Sequence, residues 1–108
     1  MKTDHISNFT RGWFIGNFEP SVLQTEDFEV AIITHKQNEE IPKHFHPVAT
    51  EYNVMLSGRM WVNGRNLTKG DMFTFEPDEI CNVQVLEDSE VLCVKVPSIQ
   101  GDKVCTRQ

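Results

Sequence analysis

The 108-residue sequence has little positive charge and no long apolar run. Its 10 Lys and Arg residues stand against 16 Asp and Glu, which gives a formal net charge of -6. Binding to nucleic acid or to an anionic membrane surface depends mainly on Lys and Arg, so this composition argues against both partners. The longest apolar runs, 30–33 and 91–94, are short, whereas a membrane-spanning helix needs about 20 apolar residues. We therefore expect no nucleic-acid partner and no membrane partner.

Cysteine is also scarce, and the length limits the number of domains. Three cysteines, an odd number without close pairing, indicate a reducing cytosol rather than a disulfide framework, so we expect a cytoplasmic protein. The first five residues do not resemble a leader sequence. A chain of this length is typical of one domain. We expect a single domain over 1–108, with an apolar N-terminal segment at 9–20, a barrel at about 28–97 and a short polar tail at 98–108.

The pattern of residues predicts strands separated by turns, without an amphipathic helix of useful length. Short runs of apolar, β-branched and aromatic residues alternate with clusters of Gly, Asn, Asp and Pro, which is typical of a β-sandwich or barrel. The fold class is therefore predicted as all-β. The predicted strands are 29–35, 51–56, 59–62, 65–68, 72–75, 80–86 and 91–96.

Two hairpins follow from this pattern. Asn63-Gly64 tolerates the positive φ that both central positions of a type I′ turn require, so it predicts a tight hairpin. A four-residue turn at 87–90 predicts that strands 80–86 and 91–96 pair directly, which sets the side chains facing the barrel interior. The predicted inward set is Cys81, Val83, Val85, Leu92, Val94 and Val96, and the outward set is Asn82, Gln84, Cys93 and Lys95.

The apolar N-terminal segment contains Trp13-Phe14-Ile15 and Phe18. It either adds a strand to the sheet of a partner or caps one end of the barrel. A sandwich of this size also has edge strands to protect, so we expect a homodimer. At the other end of the chain, we expect the polar tail to be partly mobile.

Candidate functional residues concentrate between 42 and 58. His44 and His46 are two residues apart, so in a strand their imidazoles face the same side and can converge on one metal ion. Pro47 interrupts the strand, and the loop that follows can return Glu51 beside the pair. Two nitrogens and one carboxylate oxygen form an open metal site. The alternative is that the two histidines make ordinary surface hydrogen bonds and that Glu51 is solvated.

These residues form a recognisable motif. The string His44-x-His46-x4-Glu51-x6-Gly58 resembles the first motif of the cupin superfamily, and Gly70-Asp71 resembles the opening of the second. The resemblance implies a double-stranded β-helix, or jelly-roll barrel. It also implies a metal ion inside the barrel, held by two histidines, one glutamate and a further histidine from the second motif. On this basis His44, His46 and Glu51 are the predicted metal ligands.

The second motif departs from the cupin pattern. Cys81 stands eleven residues after Gly70, where the family usually has its last histidine. A thiolate at Cys81 could replace the imidazole as a fourth ligand and would favour a softer ion such as zinc. Equally, Cys81 can be a small core residue, since free cysteine is among the most buried residue types. The expected cofactor is a divalent metal ion (Zn, Fe, Mn or Ni).

Three classes of function are compatible with these residues. The first is a metal-dependent enzyme acting on a small molecule. The second is a non-catalytic module that binds a small ligand such as a sugar. The third is a metal-free isomerase or epimerase in which His44 or His46 works with Glu51 as an acid and base. The sequence favours a metal-binding cupin with a small-molecule ligand, and leaves open whether it is an enzyme.

Overall fold

A computed structural model describes residues 1–106, and these residues form β-sheets arranged in two layers, with two short 3₁₀ turns before the first strand. The turns are Ile6–Asn8 and Thr10–Gly12. The strands, in chain order, are β1 (Trp13–Ile15), β2 (Glu29–His35), β3 (His44–Phe45), β4 (Thr50–Ser57), β5 (Arg59–Val62), β6 (Arg65–Thr68), β7 (Met72–Phe75), β8 (Val83–Val85), β9 (Ser89–Val96) and β10 (Val104–Cys105).

The larger sheet has the strand order β1-β2-β9-β4-β7, and all its paired strands are antiparallel. The smaller sheet has the order β6-β5-β8, and a separate ladder joins β10 to β3. Two backbone hydrogen bonds between His44 and Cys81, of 2.7 and 3.4 Å, place β3 beside the residues that lead into β8. The second layer therefore extends from β6 to β10. This two-layered arrangement confirms the predicted all-β double-stranded β-helix.

The hydrophobic core lies between the two layers. Burial of each large side chain here contributes about 1.5–3 kcal/mol relative to exposure. The core cluster consists of Met55, Met60, Val62, Phe75, Cys81, Val85 and Val91.

Most of the predicted strands are confirmed with little change. Four of them, 29–35, 59–62, 65–68 and 72–75, have the predicted bounds, and β4 is longer than predicted by one residue at each end. Asn63 and Gly64 have φ values of 44° and 90°, which confirms the hairpin between β5 and β6. The sequence pattern did not predict β1, β3 or β10, because strands of two or three residues carry too little alternation.

The predicted pairing of strands 80–86 and 91–96 is wrong. β8 pairs with β5 in the smaller sheet, whereas β9 pairs with β2 and β4 in the larger sheet. The turn between them crosses from one layer to the other. Cys81 and Val85 are buried as predicted, but in β9 the buried residues are Ser89, Val91 and Cys93, and Val96 is exposed. The predicted outward orientation of Cys93 and Lys95 is therefore wrong, since Cys93 is 1% exposed and the Lys95 side chain lines the central cavity.

Both ends of the described chain join the sheets. β1 pairs with β2 of the same chain, so the N-terminal segment extends its own sheet. Within the predicted polar tail, β10 pairs with β3, and the Thr106 N–H bonds to the Lys43 carbonyl at 2.9 Å. The mobility of this tail stays a prediction. Residues 107–108 of the predicted tail lie outside the described residues. Within 1–106, no helix is long and apolar enough to cross a membrane.

Candidate functional site

A cavity of about 740 Å³ lies between the two layers. Small-molecule sites typically occupy about 300–1,000 Å³, so the cavity has an appropriate size for a small ligand. Its walls combine apolar side chains with a cluster of polar ones. The polar cluster consists of His44, His46, Glu51, Asn53, Cys81 and Lys95.

His44 and His46 enter the cavity from β3 and from the residue directly after it. The Nδ1 of His44 donates to the Pro42 carbonyl at 2.8 Å, and the Nδ1 of His46 donates to the Asp102 carbonyl. A carbonyl oxygen can only accept, so each Nδ1 carries a proton, and in the neutral form of such a ring the free lone pair is on Nε2. This is the tautomer in which Nε2 can bind a metal ion.

The Nε2 of His46 is an unsatisfied polar atom. His46 is 3% exposed, and this nitrogen has no hydrogen-bond partner among residues 1–106. Leaving a buried polar group unpaired costs about 1–3 kcal/mol. A ligand that binds this nitrogen would remove that cost.

Cys81 completes a compact group with the two histidines. Donor atoms of His44, His46 and Cys81 all lie within 4.8 Å of one another. Burial raises the pKa of the Cys81 thiol to about 12, and the negative charges of Glu51 and Glu79 contribute further. The thiol is therefore protonated at neutral pH unless a cation displaces its proton.

The pKa of His44 is lowered, mainly because burial disfavours the charged ring and also because Lys103 and His46 lie nearby. At neutral pH His44 is therefore uncharged, which is the form that binds metal ions.

Glu51 lies beside the group formed by His44, His46 and Cys81 but does not belong to it. It enters from β4 on the opposite wall, where its Oε1 is 3.7 Å from the His46 Nε2 and 4.0 Å from the Lys95 Nζ. Its Oε2 accepts a hydrogen bond of 3.3 Å from the Asn53 side chain. The Lys95 ammonium in turn lies over the Trp13 ring, 4.9 Å from its centroid. Glu51 thus has partners within its own sheet.

Asp102 is a site residue that the sequence did not indicate. Its carbonyl accepts from His46, and its carboxylate accepts from the backbone N–H groups of Val48 and Ala49. These contacts join residues more than 50 positions apart, so no local spacing could have revealed them. Lys95 and Cys93 were missed for a different reason, since the incorrect register of β9 placed both outside the barrel.

Gly58 and Asp71 of the two cupin-like motifs have structural roles. Gly58 has a φ of 81°, and a Cβ at this position would lie 2.3 Å from the Asp88 carbonyl oxygen. Only glycine fits this tight turn between β4 and β5. In the second motif, the Asp71 carboxylate accepts from the Thr68 N–H at 2.8 Å and closes the turn before β7. Neither motif glycine contributes to the cavity.

The residues present fit a divalent metal ion. Donor atoms of two imidazoles and one thiol lie close together, each Nδ1 donates to a carbonyl, and the His46 Nε2 is buried without a partner in the described chain. Imidazole and thiolate donors are typical of zinc sites, and imidazole also suits nickel. The structure places the predicted ligands His44 and His46 together with Cys81 and brings Glu51 beside His46. Whether Glu51 is also a ligand stays a prediction.

Comparison with known proteins shows the fold. No known family model matches the chain, and no curated protein matches its sequence. A Klebsiella pneumoniae protein with a double-stranded β-helix domain matches with a TM-score of 0.72 and 19% identity, over 99% of this chain and 93% of that chain. The DMSP lyase DddQ from Ruegeria pomeroyi matches with a TM-score of 0.70 and 18% identity, over 87% of this chain and 49% of that chain.

A third similar structure contains a metal ion. The pirin YhhW from Escherichia coli, in complex with nickel(II), matches with a TM-score of 0.63 and 17% identity. The match covers 82% of this chain and 39% of the pirin chain. At these low identities, the likenesses show a shared fold and leave the activity open.

Proposed function

We propose that this chain, which has the double-stranded β-helix fold of the cupin superfamily, binds a divalent metal ion through His44, His46 and Cys81. A small molecule would bind beside the ion in the cavity of about 740 Å³. The observation that carries the proposal is the buried His46 Nε2, which is unpaired within the described residues and belongs to a group of three donor atoms within 4.8 Å.

The donor set favours particular metals. Two imidazole nitrogens and one thiolate suit zinc, whereas iron(II) and manganese sites usually contain carboxylate oxygens. We therefore propose Zn²⁺ as the preferred ion, with Ni²⁺ as the next candidate. The nickel(II) in the pirin YhhW supports the view that this fold accommodates such ions. If Glu51 is also a ligand, the preference shifts toward iron or manganese.

Glu51 has a second role in this proposal. A bound metal ion would act as a Lewis acid that polarises an oxygen of the small molecule. Lys95 and Asn53 hold the Glu51 carboxylate beside this position, with its Oε1 3.7 Å from the His46 Nε2. The carboxylate is placed to accept a proton from the bound molecule, so the cavity supports acid–base chemistry as well as binding.

A metal-free isomerase that uses a histidine and Glu51 is less well supported. A metal-free site leaves the buried His46 Nε2 without a partner in the described chain, whereas a bound cation would satisfy it. A non-catalytic binding module would use the same cavity, and turnover of a bound ligand would distinguish it from an enzyme. A cytosolic location is part of the proposal, supported by three free cysteines within the described chain.

Metal analysis of protein purified without chelator tests this function. We expect about one equivalent of zinc in the wild-type protein and none in a His44→Ala/His46→Ala double variant. Cys81→Ala and Glu51→Gln variants, prepared in parallel, identify the third ligand. Loss of metal in Glu51→Gln together with retention in Cys81→Ala would replace Cys81 by Glu51 in the donor set. Absence of metal from the wild-type protein after incubation with zinc would contradict the proposal.

A further inference from the structure

We infer that Asp102 is a positioning residue for the metal site, through its simultaneous bonds to His46 and to the loop that follows His46. The change in zinc affinity that this inference predicts rests on the proposed metal binding. It assigns a role to the C-terminal segment 102–106, which composition alone would describe as a polar tail.

The carboxylate of Asp102 holds the loop after His46. One oxygen accepts from the Val48 N–H at 3.1 Å, and the other accepts from the Ala49 N–H at 2.8 Å. Hydrogen bonds to an ionised carboxylate are about twice as strong as neutral ones. The loop begins with Pro47, whose missing N–H leaves the backbone there without a sheet partner. Asp102 therefore supplies the bonds that a neighbouring strand would otherwise provide.

The carbonyl of the same residue orients His46. It accepts from the His46 Nδ1, which leaves the buried Nε2 on the other side of the ring free to bind a ligand. Outer bonds of this kind set the tautomer and the ring orientation of a metal-binding histidine. Because one residue makes both contacts, a shift of the Asp102 backbone would alter the His46 ring and the loop together.

The rest of the segment keeps Asp102 in place. Val104 and Cys105 of β10 pair with Phe45 and His44 of β3, so the segment runs along the strand that carries the first histidine. By thermodynamic linkage, if the docked segment improves metal binding, the bound metal must stabilise the docked segment by the same factor.

Three variants test the role of Asp102. Asp102→Ala removes both carboxylate bonds, and Asp102→Asn keeps one oxygen that can accept a backbone N–H. Asp88→Ala is the matched control, because the Asp88 carboxylate also accepts from a distant backbone N–H, that of Gln37 at 2.8 Å, away from the cavity.

The first measurement is zinc affinity by competition with a chromophoric chelator. Mutation of a residue that holds a metal ligand in its orientation typically lowers affinity about 10–100-fold. We expect a loss in this range for Asp102→Ala, a smaller loss for Asp102→Asn and no change for Asp88→Ala. Hydrogen exchange of the 102–106 amides should slow on zinc addition in the wild-type protein.

The second measurement needs no metal. Nitrogen-15 NMR of the imidazoles in the metal-free protein reports which ring nitrogen carries the proton. Asp102→Ala keeps the main-chain carbonyl that accepts from the His46 Nδ1 but loses the carboxylate bonds that hold this carbonyl in place. We therefore expect a defined Nδ1–H tautomer for His46 in the wild-type and Asp88→Ala proteins and a partial loss of that tautomer in Asp102→Ala. If the wild-type protein binds no zinc but shows this tautomer shift, the metal proposal fails while the positioning role stands.

An unchanged His46 tautomer in folded Asp102→Ala would overturn the inference. Equal zinc affinities of wild-type protein and Asp102→Ala would overturn it as well. If Asp102→Ala does not fold, both measurements are made on Asp102→Asn. Wild-type values in Asp102→Asn, together with hydrogen exchange of the 102–106 amides that does not change on zinc addition, would likewise overturn the inference.

Discussion

The polar groups on the two walls of the cavity differ in whether they have partners. On the wall of β3 and the residues before β8, donor atoms of His44, His46 and Cys81 converge, and the His46 Nε2 has no partner within the described chain. On the wall formed by the larger sheet, the Glu51 carboxylate lies against Lys95 and Asn53. One wall therefore leaves a position for a cation, whereas the other supplies its own countercharge. This contrast is the reason for assigning the metal to the first wall.

Removal of the two histidines should have the largest effect. The His44→Ala/His46→Ala double variant loses two of three proposed ligands, so we expect no measurable zinc binding by calorimetry. Thermal unfolding provides the second readout, since zinc should raise the Tm of the wild-type protein and leave that of the variant unchanged. Residual tight binding in the double variant would remove the distinction between the two walls.

The Cys81 variants should have the next largest effect. Loss of a direct ligand should lower zinc affinity by more than the about 10–100-fold typical of an outer bond. In the metal-free protein, Cys81→Ser should unfold more easily than Cys81→Ala, because a buried hydroxyl without a partner costs about 1–3 kcal/mol. Cys93→Ala is the control, since Cys93 is equally buried but lies outside the donor group. Full zinc affinity in Cys81→Ala would indicate that Cys81 is a core residue and not a ligand.

The pH dependence of zinc binding should also identify the thiol. With the pKa of the Cys81 thiol at about 12 in the metal-free protein, binding must release its proton throughout the neutral and mildly alkaline range. Chelator competition should therefore show affinity rising about tenfold per pH unit between pH 7 and 9. A flat profile in this interval would indicate ligands that are already deprotonated, such as histidine and glutamate.

The same thiol affects the stability of the metal-free protein. Its pKa is raised above the usual value of 9.0, so the folded state favours the neutral form. This contribution is fully present below about pH 9 and is lost as pH rises toward 12. Denaturant unfolding at alkaline pH should show a smaller decline in Cys81→Ala than in the wild-type protein. Equal declines would mean that Cys81 titrates normally.

Changes on the wall of the larger sheet should have the smallest effect on metal binding. Glu51→Gln removes the carboxylate and keeps its shape, and we expect less than a tenfold change in zinc affinity. Lys95→Met removes the cation beside Glu51 and over the Trp13 ring, and should lower stability by about 1 kcal/mol. A loss of affinity in Glu51→Gln as large as that in Cys81→Ala would place ligands on both walls.

The homodimer remains a prediction. β1 lies at the edge of the larger sheet in the order β1-β2-β9-β4-β7, and an exposed edge strand is a surface on which a second chain can pair. Sedimentation equilibrium at micromolar concentration should give twice the mass of the chain. A single species of monomer mass would contradict the prediction.

Sequence patterns predicted those parts of the fold in which local signals are strong. Alternation and turn residues predicted the bounds of β2, β5, β6 and β7. The His-x-His spacing predicted that the two imidazoles lie close together. The orientation of β9 was not predictable in this way, because 91–94 is apolar at consecutive positions and both registers bury hydrophobic side chains.

Long-range contacts account for the other omissions. β10 has only two residues, and its pairing with β3 depends on backbone bonds across about 60 positions. The role of Asp102 also arises from its position in the fold, since two of its bonds go to backbone N–H groups that any sequence would present. The proximity of Cys81 to His44 follows from the backbone bonds between them. Such contacts have no periodic pattern in the sequence.

The absorption spectrum of the cobalt(II)-substituted protein tests the central assignment most directly. Cobalt(II) replaces zinc in such sites, and a bound thiolate gives an intense near-ultraviolet charge-transfer band that imidazole and carboxylate ligands do not. The wild-type and Glu51→Gln proteins should both show this band, and Cys81→Ala should lack it. The assignment of the metal to His44, His46 and Cys81 would be contradicted by a wild-type cobalt protein that lacks the band. In that case the visible spectrum would change in Glu51→Gln and stay the same in Cys81→Ala.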